Sequence, residues 1–71
     1  MGEHVWKLIE AGIYVTTYHG VELRCRWTKT GWIVSRRDGD GWLGLTGDVK
    51  RADAEAKAFA LLRAKYGAVA L

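Results

Sequence analysis

Apolar and polar residues alternate with a period of two through the middle of the chain, then give way to an alanine-rich run that lacks this alternation. Between the two regimes lie short clusters of Gly, Asp and Thr that read as turns. A hairpin loop over Thr28-Lys29-Thr30-Gly31 sets Trp27 opposite Trp32 on one face. Alternation then groups Val21, Leu23, Cys25, Trp27, Trp32 and Val34 as a core face and sends Glu22, Arg24, Arg26, Ile33, Ser35 and Arg37 outward. A second turn over Asp38-Gly39-Asp40-Gly41 brings Trp42 opposite Arg37, with Leu43 and Leu45 inward. Arg36 is the misfit: this register aims it at the core side, where its stem can lie on apolar surface while its head reaches water. A slip of one residue would invert every face, so register is the central assumption.

The flanking segments complete a fold. Glu3 to Ala11 reads as a short helix with Val5, Trp6 and Ile9 on one side, ending at Gly12, or as an ordered arm. Ile13 to Tyr18 is β-branched and aromatic, hence a strand, and His19-Gly20 is a two-residue turn into Val21. Ile13 and Val15 fall on the outer face beside Arg24 and Arg26, and the amino-terminal segment is expected to cover them with Trp6. After Leu45, Asp48 offers an N-cap, Val49 to Tyr66 consists mostly of strong helix formers, and Arg63, Lys65 and Gly67 form a stop signal. Ala54, Ala58, Leu61 and Leu62, flanked by Phe59 and Tyr66, make the stripe expected to lie across the sheet's apolar face, the alanines letting the helix approach closely. The tail from Ala68 to Leu71 is apolar and either folds back or frays. The expectation is one α+β domain over residues 1–71: a helix or arm at 1–11, a three- to four-stranded antiparallel β-meander at 13–45, and a carboxy-terminal helix at 48–66 packed on one face.

Composition narrows the chemistry. Seventy-one residues hold one modest core and no deep pocket, while 49% hydrophobic residues and four tryptophans argue against disorder. The single cysteine excludes an internal disulfide and fits a core position. No apolar run reaches the roughly 18 residues of a membrane span, and Glu3, Lys7 and Glu10 interrupt any signal-like start. A cytoplasmic protein with no membrane partner is expected. Two histidines, His4 and His19, lack the spacing of metal ligands, neither is paired with a nucleophile, and no glycine-rich phosphate loop opens a helix. The chain therefore reads as a non-enzyme with no cofactor and no metal.

What remains is the outer sheet face. The net charge of +3 and pI of about 9.3 permit an anionic partner without requiring one. Arg24, Arg26 and Arg37 can meet phosphates or guanine edges, Trp42 can pack on a sugar or a thymine methyl, and Lys29 at the hairpin tip can add a phosphate contact. Basic residues alternate outward on any solvated sheet, so the alternation alone is weak support. The other reading is a protein-binding module, such as a small inhibitor docking on a host protein, because Trp and Arg also dominate interface hot spots. Homodimerisation through the sheet is a variant of it.

From Tyr18 onward, YHGVELRCRW, TGWIVSRRDG, WLG and ADAEAKAFALLRAKYG resemble the plant ethylene-response-factor type of DNA-binding domain, a sheet-plus-helix design shared with phage homing endonucleases and the arm-binding domains of tyrosine integrases. The resemblance covers Tyr18 to Gly67. It implies major-groove binding through Arg and Trp on three strands, so Arg24, Arg37 and Trp42 take contact roles by position, and Arg26 joins them by alternation. It also suggests a phage or mobile-element accessory factor that binds double-stranded DNA. This chain departs from the pattern at His19, Glu22 and Ser35 and in the longer step from Thr46 to Arg51; a carboxylate at Glu22 would face phosphates unfavourably.

Overall fold

The computed structural model describes residues 6–66. Five strands precede one helix: β1 (Lys7–Glu10), β2 (Ile13–Tyr18), β3 (Val21–Thr28), β4 (Gly31–Asp38), β5 (Gly41–Asp48) and α1 (Arg51–Tyr66). The strands form a single antiparallel sheet in chain order, and α1 lies across β3, β4 and β5. The architecture is α+β, and the sheet has five strands where the sequence reading gave three to four.

The register of the central hairpin is the expected one. Trp27 stands opposite Trp32, Cys25 opposite Val34 and Arg24 opposite Ser35; across the next turn Arg37 stands opposite Trp42. Leu23, Cys25 and Val34 are fully buried beneath Ala54 and Ala58, which are also fully buried, and Leu62. The small Ala54 and Ala58 side chains let the helix approach the sheet closely over Cys25 and Val34. Inside this layer burial pushes the Cys25 thiol up to about 11, away from the reactive thiolate. A bulge at Leu45 adds one residue to β5 between Gly44 and Thr46 and sets Leu45 against the Tyr18–Leu23–Leu62 cluster.

Turn chemistry explains the tight connections. His19 and Gly20 both take positive φ (53° and 79°), the pairing that suits a two-residue hairpin loop. Gly31 is required for two reasons: its φ is +139°, and a Cβ there would come within 2.5 Å of the Asp48 carbonyl oxygen.

Several expectations need correction. The segment read as a helix or arm supplies β1, because Lys7–Glu10 pairs along β2 and the chain reverses at Gly12 (φ +77°), whose carbonyl accepts the Trp27 N–H at 2.9 Å. Trp6 does not cover Ile13 and Val15; it packs on the opposite side, with its ring 5.8 Å from Phe59. Trp27 lies on the helix side as expected, yet it is 56% exposed, because α1 does not extend over that part of the sheet. Leu43 points inward but is half exposed. Leu61 is half exposed as well, since it sits about 100° around the helix from Leu62 and falls off the buried row of Ala54, Ala58 and Leu62. The meander runs to Asp48, and the helix begins at Arg51 with Lys50 supplying its first carbonyl acceptor, to Ala54 N–H. Asp48 therefore acts just upstream: its carboxylate accepts the Val49 N–H at 2.7 Å and pairs with Lys57 Nζ at 2.7 Å. The expectations for Val5, His4 and the tail beyond Tyr66 fall outside the described residues.

Candidate nucleic-acid interface

Pairing of the strands arranges the outer face in rows that run across the sheet. One row holds Thr17, Glu22, Arg37 and Trp42; the next holds Lys7, Val15, Arg24, Ser35 and Gly44; a third holds Glu10, Ile13, Arg26, Ile33 and Gly47, so that a second carboxylate stands at the β1 end of the Arg26 row. Alternation puts these side chains on the face opposite the helix.

Three of the expected site residues form one cluster. The Arg24 guanidinium carbon lies 4.5 Å from the Trp42 ring centroid and that of Arg37 lies 4.6 Å from it. Such contacts are worth about 0.5–1 kcal/mol at exposed sites. Ser35, on β4 between the strands of Arg24 and Trp42, is buried although it lies on the outer face. Arg37 Nε also donates to Glu22 Oε1 at 3.1 Å. Glu22, expected to repel phosphates, is thus partly neutralised by a cation beside it.

The electrostatics follow from this crowding. Desolvation first, then repulsion from Arg26 and Arg37, lowers the Arg24 pKa from the ordinary guanidinium value. Arg24 Nε is buried and has no hydrogen-bond partner among the described residues. Arg26 shares the face one row away and is exposed. Lys29 is exposed in the β3–β4 turn, at the end of the sheet and apart from the cluster.

One residue that the sequence reading did not place on this surface belongs to it, and another has a role there that was not foreseen. Lys7, opposite Val15, extends the Arg24 row onto β1. It could have been found from the alternation of Lys7 and Ile9, which the helical reading of that segment concealed. Glu22 was seen as a departure, but its partner became evident only when β3 and β4 were paired. Among the described residues, no group of His, Cys, Asp or Glu is arranged to hold a metal ion, and no helix is long and apolar enough to cross a membrane. No protein-family model matches the chain, and comparison with curated proteins and with solved structures likewise gives no match.

Proposed function

We propose that the protein binds double-stranded DNA through the outer face of its sheet. The observation that carries this reading is the stacking of Arg24 and Arg37 on Trp42 at one open face, with Arg26 on the same face beyond Arg24 and Glu22 the opposing charge within the cluster. A rigid sheet holds these groups at strand spacing, so cations and an indole are presented together without the entropy cost of ordering a loop. The resemblance of the strand and helix motifs to sheet-type DNA-binding domains points the same way. The guanidiniums meet phosphates or the O6 and N7 acceptors of guanine, and Trp42 supplies apolar contact.

The reading is tested by Arg24→Ala, Arg26→Ala and Arg37→Ala in fluorescence anisotropy with a labelled duplex. Each is expected to weaken binding by about tenfold or more, the scale of one charge-assisted contact of about 1.5–3 kcal/mol. Stability should fall by no more than about 1 kcal/mol, because exposed cation–π contacts and ion pairs contribute little. Three unchanged affinities would sink the proposal.

One observation favours a second reading. Trp27 and Leu8 are both 56% exposed on the helix side of the sheet, away from the arginines. A protein partner seated there would bind with little salt dependence, in contrast to a phosphate-binding face.

A further inference from the structure

The outer face is wider than the groove it would enter. Five strands at about 4.8 Å spacing place the axes of β1 and β5 about 19 Å apart, whereas the major groove of B-DNA is about 12 Å wide. Only three adjacent strands, spanning about 10 Å between outer axes, can enter. The arginines and Trp42 lie on β3, β4 and β5. On β5 the outward positions Gly44 and Gly47 carry no side chain, so that edge can come close to a surface.

That leaves β1 and β2 outside the groove, above its rim. Between β1 and Trp42 the outer face is hollowed into a groove of about 460 Å³ lined by Lys7, Ile9, Val15, Glu22, Arg37 and Trp42. Its walls carry two cations and one carboxylate, and the carboxylate is held by Arg37. Its floor has aliphatic surface from Ile9 and Val15, and Ile9 is 53% exposed despite its size. A positively biased channel with an aliphatic floor matches one sugar–phosphate strand, whose phosphates are anionic and whose deoxyribose rings are largely apolar.

We propose that this groove receives one sugar–phosphate strand at the rim of the major groove while β3–β5 enter it, and that Lys7 is a phosphate ligand. The assignment rests on the DNA-binding reading and extends it to a docking geometry. The strand β1 thereby becomes a rail that limits how far the sheet rotates into the duplex.

The test compares the unmodified protein, Lys7→Ala and Arg63→Ala, an exposed position on the helix side, in anisotropy titrations against a random-sequence duplex between about 50 mM and about 200 mM salt. Loss of one phosphate contact flattens the plot of log affinity against log salt by about 0.9, so the Lys7 variant should lose about 3.5-fold less affinity over this range than the unmodified protein. Arg63→Ala should keep the full slope. A full slope for Lys7→Ala, or equal flattening by Arg63→Ala, overturns the groove assignment while leaving DNA binding intact. Tighter binding to a single strand of the same length, with the same Lys7 effect, overturns the duplex-rim geometry. No binding by the unmodified protein at the lower salt overturns the functional reading as well.

Discussion

Single residues in this fold divide by whether their surroundings leave them room. At Gly31, positive φ and the 2.5 Å separation that a Cβ would have from the Asp48 carbonyl oxygen act together, so Gly31→Ala should destabilise the protein by more than about 2 kcal/mol, through strain and displacement of the β5–α1 junction. Gly44 has no atom within 4 Å of a built Cβ and does not occupy the left-handed region. Gly44→Ala should therefore be neutral or stabilising by about 0.5 kcal/mol. Urea denaturation of the two variants checks this, and equal effects would contradict the account. The same logic separates the arginines. Arg51 stacks on the Tyr14 ring at 4.0 Å and pairs with Glu55 between the layers, whereas Arg24 and Arg37 stack on Trp42 at the open face.

At the scale of elements, the sequence was most legible where one local rule sufficed. Alternation and two turns placed β3, β4 and the start of β5 in their register, since a single residue of slip would have exposed Cys25 and Val34. Helix α1 was evident from composition, but its orientation was only partly so: Ala52, Ala56, Ala60 and Ala64 are exposed while Ala54 and Ala58 are buried, so alanine alone marks no face. The strand β1 was missed because four residues hold too little pattern to separate a strand from a helical turn, and pairing with β2 decides between them. The junction from β5 to α1 leads to a further prediction. Hydrogen bonding from Lys57 first, and then from the Val49 N–H, holds the Asp48 carboxyl below the ordinary carboxylate range. A depressed folded pKa contributes stability above the unfolded value of about 3.9 and loses it as pH falls through the folded value. The melting temperature of the unmodified protein should exceed that of Asp48→Asn at pH 7, and the gap should shrink as pH falls from about 4 to about 2. A gap that stays constant in circular-dichroism melts would contradict this origin.

At the scale of the whole molecule, the described residues form two layers, with the helix over β3, β4 and β5 on one side of the sheet and no other described element on the opposite side. The location of the candidate surface was readable, because alternation alone sorts Arg24, Arg26, Arg37 and Trp42 onto one face. Its internal structure was not, because the Glu22–Arg37–Trp42–Arg24 chain of contacts depends on side chains that meet across three strands. Nor was its width, which depends on β1. The proposed binding of phosphates by this face is tested most directly by anisotropy of a labelled random-sequence duplex at about 50 mM and about 200 mM salt. Contacts from Arg24, Arg26, Arg37 and Lys7 predict binding at the lower salt that weakens about a hundredfold at the higher. Absence of binding at 50 mM, or binding that salt does not change, would contradict it.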